Sequence, residues 1–427
     1  MEIYFDNSAT TKICEEALEK YIEVSRNFYG NPSSLHAMGF NAEKLLAQAR
    51  ADILATLSAR GCDLIFTASG SEANNLAITG RAYSKERYKK GAKIITTMGE
   101  HASVSEPLKR LGAEGFKIVE IPTSGGIIDM DRLAKELTSD TILVTMMMVN
   151  NETGALYDIA AVSKLAHAKC PDALVHVDAT QSFLKLPFTK SALGADMITL
   201  SSHKIEGPKG VGALVIDERV KKLRGLSPII LGGGQEGGYR SGTENLPANV
   251  AFATAAKLGF STLKPRFEKM SALRELVINE IRSRESLSGV SITEPRYHAP
   301  HIVNITLPKI KSETMLHYLS SLGIYVSSGS ACSSNSAHTS SALVAFGRSA
   351  EEADYSIRIS LSAVNTEDEV REFISALESG ISKLARGKEW RRSLSSPLAR
   401  LRRIISRRLS TSIKKGSRNT RELMRSI

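Results

Sequence analysis

Two short segments of the chain carry residue types suited to one demanding chemistry. Asp178-Ala179-Thr180-Gln181 sets a carboxylate and an amide just past one apolar run. Ser201-Ser202-His203-Lys204-Ile205-Glu206-Gly207-Pro208-Lys209-Gly210 sets hydroxyls, an imidazole and a lysine just past the next. A lysine can condense with an aldehyde to a Schiff base. A carboxylate on the neighbouring strand can keep a pyridine nitrogen protonated, so that the ring withdraws electrons. Together they suit pyridoxal 5'-phosphate. Ser71, Ser201 and His203 supply hydroxyls and backbone N–H groups for a phosphate, helped by the dipole of the helix that starts near Ser71. The plain alternative is a surface lysine and a helix-capping aspartate. The upstream carboxylate and the Gly-rich turn after Lys204 weigh against it.

Such residues need a scaffold that brings strand ends together. Apolar runs bounded by turn residues recur at Leu64–Thr67, Lys93–Thr97, Phe116–Ile121, Thr141–Val149, Ala173–Val177, Met197–Leu200 and Gly212–Ile216. Most are separated by stretches of helical periodicity such as Phe40–Leu57 and Asp158–Ala168. This alternation predicts an α/β protein with a mainly parallel seven-stranded sheet covered on both faces. Ligands of such sheets bind beyond the carboxyl ends of the strands. Five polar clusters fall there: Ser69–Glu72, Glu100-His101, Asn150–Glu152, Asp178 with Gln181, and Ser201–Lys204.

From Pro247 towards Arg284 an Ala-rich helical pattern reads as a spine leaving this domain. Then come strand His301–Leu307, helix Ser312–Leu322, a short strand Ile324–Ser327, strand Tyr355–Leu361 and helix Thr366–Leu384, which opens on the capping box Thr366/Glu369. The order predicts a smaller α+β domain. The expected division is a large domain over 15–255, a small domain formed by 1–14 and 256–386 that carries a cysteine loop at 327–342, and a tail over 387–427.

Composition excludes several classes. At 427 residues, 42% hydrophobic and 24% charged, the chain is neither disordered nor fibrous. The formal charge of +11 is carried by the tail, where thirteen Lys/Arg face Glu389 and Glu422. The body is neutral, so the basic balance says nothing about nucleic acid binding by the main domain. Cys14, Cys62, Cys170 and Cys332 are far apart and form no CxxC pair, which argues against a zinc site or a disulfide framework. No signal peptide or membrane-spanning run is expected, and a reducing cytoplasm is the natural compartment. Gly232–Gly234 lacks the lysine of a nucleotide loop. His167, His176, His298 and His338 lack metal-ligand spacing. In the tail, Ser396-Pro397 starts a basic amphipathic helix through Ile413, suited to an anionic membrane surface or an acidic partner through residues 396–425.

The chain resembles the cysteine desulfurases, a group of class V fold-type-I pyridoxal-phosphate enzymes. The motifs that carry the likeness are Tyr4–Thr11, Asn31–Ser34 with His36, Ser69–Asn75, Glu100-His101, Val149–Gly154, the lysine segment, Gly233–Glu236, Arg240–Asn245, Ser327–Ser334 and Arg358–Leu361. They run in family order over about residues 1–386. The resemblance implies Lys204 as the Schiff-base lysine, Asp178 as partner of the ring nitrogen, Gln181 as donor to the ring oxygen and His101 as the stacked imidazole. It puts Gly70, Ser71, Ser201 and His203 on the phosphate, and Thr243 on the phosphate of a neighbouring subunit, hence a homodimer. It assigns Asn151 to the cofactor and, with Arg358, to the substrate carboxylate, a task that fits a bidentate guanidinium.

Cys332 then carries the specific function. Its Ser-, Gly- and Ala-rich surroundings are too polar and small to pack, so its loop should move, and its thiolate is the expected nucleophile towards the substrate sulfur. The implied reaction converts L-cysteine to L-alanine and leaves the sulfur on Cys332 as a persulfide, for transfer to an iron–sulfur scaffold or a thiolation acceptor. A class V aminotransferase or selenocysteine lyase is the alternative on the same fold. A membrane or scaffold adaptor acting through the basic tail is the non-enzymatic one. Departures from the family pattern are Ser71 for Thr, Tyr157 for Gln, Glu206 for a large residue and Ser362 for Gly. None removes a catalytic group.

Overall fold

The structure is a computed structural model that describes residues 2–84, 91–328 and 339–395, with side chains as far as 384. Cys332 and the tail segment 396–427 lie outside the described residues. Compactness divides the chain into Met1–Ile374 and Ser375–Ile427.

The strands are β1 (Ile3–Tyr4), β2 (Asp63–Thr67), β3 (Lys93–Thr97), β4 (Lys117–Ile121), β5 (Thr141–Met147), β6 (Leu174–Asp178), β7 (Met197–Ser201), β8 (Gly212–Ile216), β9 (Ser291–Thr293), β10 (Ile302–Thr306), β11 (Ile324–Tyr325), β12 (Ser327–Ser328) and β13 (Ser356–Ser360). Seven form one sheet in the order β2-β8-β7-β6-β5-β3-β4. It is parallel except for β8, which runs antiparallel to both neighbours. The expected strands are all present, within a residue or two of their predicted ends. β3, β6, β7 and β8 are buried along their whole length, as continuous apolar runs require when helices cover both faces.

Alternate residues of each strand feed opposite cores. Ile95, Val144 and Val177 pack with α1 (Glu15–Asn27), α2 (Ala37–Thr56) and the helix Leu246–Ser261. Ile94, Leu143 and Leu174 pack with α3 (Gly70–Ala82) and α4 (Ala102–Ala113). The order β12-β13-β10-β9 makes a second, antiparallel sheet, while β11 pairs in parallel with β1. Phe373 meets Phe5 edge-on, with ring centroids 5.7 Å apart.

Three expectations change. The spine from Pro247 is two helices, Leu246–Ser261 and Leu263–Ser283. At the break, Thr262 leaves helical geometry and its Oγ1 donates to the Leu258 carbonyl at 2.7 Å. Pro265 has no N–H and is tolerated only in the first turn of a new helix. The run Ile324–Ser327 is divided between two sheets, because its halves find different partners. The last helix spans Glu367–Ser395 and passes Gly387. A single glycine costs a helix only about 1 kcal/mol, and no proline follows before Pro397. The Thr366/Glu369 capping box is formed, with backbone to side-chain bonds of 2.9 and 3.2 Å. Among the described residues, no helix is long and apolar enough to cross a membrane.

Candidate active site

The carboxyl ends of five parallel strands open onto one cavity of about 250 Å³. After β2 the chain turns at Ser69 into α3, which brings Gly70 and Ser71 to the wall. After β3 it reaches His101, the N-cap of α4. After β5 comes Asn151, while Asp178 ends β6, and β7 ends at Ser201 before the turn that carries His203 and Lys204. Arg358 arrives from the other sheet, on β13. All of these, with Gln181, line the cavity.

The antiparallel β8 explains how the α3 turn comes so close. Gly212 opens β8 beside Ser201, and a Cβ there would lie 2.5 Å from the Ser69 carbonyl carbon and 2.7 Å from the Gly70 nitrogen. Only a glycine lets these backbones touch. Gly70 is tight as well, since its Cβ would meet Ser201 Cβ at 3.1 Å.

Asp178 is buried and orientated from two sides. Asn74 Nδ2 donates to Oδ2 at 2.8 Å, and the Thr180 amide donates to Oδ1 at 2.9 Å. Asn74 Nδ2 also donates to Ser103 Oγ at 2.8 Å. Ser103 in turn meets His101, its amide donating to Nδ1 at 3.1 Å and its hydroxyl lying 2.8 Å from the same nitrogen. Because Nδ1 accepts, the proton of neutral His101 sits on Nε2. Burial, reinforced by the Lys204 and Arg358 charges against the pull of Asp178, holds this imidazole below its ordinary range. Two residues before Asp178 on β6, His176 lies within 2.8 Å of Thr145 Oγ1 and 2.9 Å of Thr199 Oγ1, and burial brings it down to about 4.

The N-terminal segment ties the lysine turn to the Arg358 strand. Lys204 Nζ donates to the Ser8 and Ala9 carbonyls at 2.6 and 2.7 Å. Thr11 Oγ1 donates to the His203 carbonyl at 2.9 Å and accepts from the Glu206 amide at 2.8 Å. Glu206 sits at φ 65°, unusual without glycine, and Arg266 pairs with its carboxylate. On the other side, Asn7 Nδ2 donates to the Ser360 carbonyl at 3.0 Å and the Ser8 amide to Ser360 Oγ at 2.9 Å. Arg358 is buried and bonded at two points, Nη1 to the Asn151 carbonyl at 2.9 Å and Nη2 to Asp6 at 2.8 Å. His203 lies with Nδ1 3.1 Å from Thr10 Oγ1, and burial beside Lys204 and Lys185 takes it down to about 4.

Two further carboxyls flank the site. Glu100 accepts the Met147 amide at 3.0 Å and the Thr97 hydroxyl, yet burial pushes it up to about 8. Glu152 accepts from the Ser340 hydroxyl, and burial pushes it up to about 7 despite Arg358. Cys62 and Cys170 are buried, Cys14 partly so, and burial raises all three thiols.

The structure therefore brings together the sequence-predicted Gly70, Ser71, His101, Asn151, Asp178, Gln181, Ser201, His203, Lys204 and Arg358. Thr243 does not line this cavity and sits on an exposed loop. Sequence reasoning assigned no role to Asp6, Ser8, Asn74, Ser103 or Lys185. Asn74 carried a readable signal, a polar residue on the apolar face of α3 beside Ala73, Leu76 and Ala77.

The model of the family described as aminotransferase class-V matches residues 3–373. "Cysteine desulfurase IscS 1" of Archaeoglobus fulgidus is 36% identical over 384 residues, 89% of this chain and 97% of that protein. A solved NifS-like protein superposes with a TM-score of 0.82 at 35% identity, covering 90% of this chain and all of that one. The structure of SspA in complex with cysteine superposes with a TM-score of 0.73 at 31% identity, over 86% of this chain and all of that one. The chain belongs to the class-V aminotransferase family, in its cysteine desulfurase group.

Proposed function

We propose that this chain is a pyridoxal-phosphate-dependent cysteine desulfurase. The observation that carries the reading is that Lys204, Asp178 and Arg358 line one cavity although they come from the turn after β7, the end of β6 and strand β13. The donor set fits the cofactor. A carboxylate is orientated by Asn74 and Thr180, a lysine amine is held at the wall, and a helix N-terminus with the Ser71 and Ser201 hydroxyls can receive a phosphate. Asn74 Oδ1 and Ser8 Oγ belong to lining residues, are buried, and have no hydrogen-bond partner among the described residues. When bound, pyridoxal phosphate supplies an electron sink that labilises bonds at the substrate Cα and Cβ.

Lys204 would hold the cofactor aldehyde, and its amine is the base for the proton at the substrate Cα. Asp178 keeps the pyridine nitrogen protonated. Gln181 donates to the ring oxygen and His101 stacks on the ring, with Asn151 beside it. Gly70, Ser71, Ser201 and His203 hold the phosphate, and Thr243 serves the phosphate of the other subunit in a homodimer. Arg358 holds the substrate carboxylate, with Asn151 alongside. Neutral His101 presents Nε2–H, so it acts as a proton donor towards the cavity while Lys204 acts as the base.

Cys332 thiolate attacks the substrate sulfur. The S–S bond forms as the Cβ–S bond breaks, a proton is taken up at Cβ, and the carbon skeleton leaves as L-alanine. The persulfide sulfur then passes to an iron–sulfur scaffold or thiolation acceptor. A reactive thiol needs a reducing compartment, which we take to be the cytoplasm, and the tail over 396–425 is assigned to an anionic membrane surface or an acidic partner.

The test is L-alanine released from L-cysteine with a reductant present, comparing wild type with Cys332→Ala. Alanine from the wild type alone is the expected result. Equal release by both proteins would move a lyase that does not use Cys332 ahead. Formation of an amino acid from a keto acid would favour an aminotransferase.

A further inference from the structure

Lys185 stands in the turn after β6, four residues beyond Gln181, and is only 7% exposed. Its Nζ donates to Gln181 Oε1 at 3.3 Å. It also borders a small cavity of about 30 Å³ together with Lys204, Glu206 and Arg266. A buried ammonium without a structural task would be replaced at no loss by an apolar side chain of similar size.

An ammonium has donors and no acceptor, whereas a primary amide has one end of each kind. The Gln181 oxygen must therefore face Lys185, and Nε2 must face the opposite way. There it donates to the Ser8 carbonyl at 2.9 Å, at the wall of the main cavity. That carbonyl also accepts from Lys204, so both neighbours of the amide demand the same orientation. Ser8 fixes the Nε2 end of the amide, and Lys185 adds the bond that holds its oxygen end.

We propose that Lys185 is a positioning residue whose buried ammonium locks the Gln181 amide with its N–H₂ end towards the cavity, where it donates to the ring oxygen of the cofactor. The inference rests on the pyridoxal-phosphate reading and goes beyond it, to a residue that does not touch the cofactor. Lys204 and Arg358 act on Lys185 with like charge and Glu206 with opposite charge. His203 and His301 both feel the Lys185 charge, and burial keeps both imidazoles neutral at pH 7. Burial, with Lys204 and Arg358, brings Lys185 down to about 7, so the lock weakens as pH rises above neutrality.

The experiment loads wild type, Lys185→Met, Lys185→Arg, Gln181→Leu and the double variant Lys185→Met/Gln181→Leu with pyridoxal phosphate. For each, the pH midpoint of the visible absorption band and the affinity for the cofactor are measured. Loss of a donor to an anionic oxygen favours its protonation, so Lys185→Met should raise the midpoint by about half a pH unit or more, roughly threefold in proton affinity. Lys185→Arg keeps a donor and should stay near wild type. The double variant should lie where Gln181→Leu alone lies. An unmoved midpoint in Lys185→Met overturns the proposal. So does a shift that persists undiminished in the Gln181→Leu background, which would make Lys185 a bare charge. If Lys185→Met fails to fold, a displaced midpoint in Lys185→Arg overturns it. A wild-type chain that takes up no pyridoxal phosphate removes the cofactor reading itself, which is a different result.

Discussion

Arg358 and Asp6 form an ion pair of 2.8 Å at the wall of the cavity, the arginine 5% and the aspartate 21% exposed at their side chains. The guanidinium proposed to receive a substrate carboxylate is thus already engaged by a carboxylate of the N-terminal segment. A substrate must compete for it or share it.

The first prediction follows from that competition. Asp6→Asn should lower KM for L-cysteine several-fold, because the guanidinium no longer has a resident anion. It should also lower Tm, since breaking such a pair leaves a buried charge and costs about 3 kcal/mol when burial is nearly complete. Steady-state kinetics and a thermal melt on the same preparation check both. An unchanged KM would show that Asp6 and the substrate do not meet on Arg358.

Asn74 should matter through Asp178. Asn74→Ala removes a donor from a buried carboxylate and from Ser103, a loss of about 1–3 kcal/mol in stability. Cofactor affinity should fall by at least about tenfold if the freed carboxylate no longer holds its orientation. Asn74→Asp should be worse, placing two carboxylates 2.8 Å apart. Fluorescence titration with pyridoxal phosphate measures both variants.

Gly212 tests the strand contact. In Gly212→Ala the new Cβ would press on backbone atoms of Ser69 and Gly70, and backbone cannot swing aside as a flexible side chain does. We expect a loss of about 1–3 kcal/mol and a weakened phosphate site at the α3 terminus. Urea denaturation and competition by inorganic phosphate read the two effects separately.

Glu100 sets a pH dependence of stability. Its folded pKa of about 8 lies well above the ordinary carboxyl value of 4.5, so the native state binds the proton more tightly than the unfolded chain. The contribution is fully present below pH 4.5 and is lost as pH rises through 8. Glu152, pushed up to about 7, acts in the same sense. Glu100→Gln should therefore melt at a Tm that falls less between pH 5 and pH 9 than that of the wild type. Parallel falls would exclude Glu100 as a source.

The elements were legible because each is coded locally. Lys93–Thr97 and Gly212–Ile216 are apolar runs whose ends coincide with turn residues, and the Thr366/Glu369 box announces its helix within four positions. The Pro247 spine misread because Thr262 breaks the helix without disturbing its apolar periodicity. The Ile324–Ser327 run misread because a strand pattern does not say which sheet it joins.

For the site, residue chemistry alone was enough to single out Lys204 with Asp178 as a pair, and the family motifs extended this to His101, Gln181 and Arg358. These are side chains whose type is demanded by the chemistry wherever they stand. What only tertiary structure decided are the partners that aim them: Asn74 and Thr180 on Asp178, Ser8 and Ala9 on Lys204, Asp6 on Arg358, Lys185 on Gln181. The bonds from Asn74, Ser8, Ala9 and Asp6 join segments far apart in the chain, those from Thr180 and Lys185 are local but depend on how the turn after β6 folds, and two use main-chain carbonyls, which every residue type provides. A sequence specifies which groups can react through their composition. It leaves their orientation to distances that exist only once strands β6, β7 and β13 and the N-terminal segment have packed together.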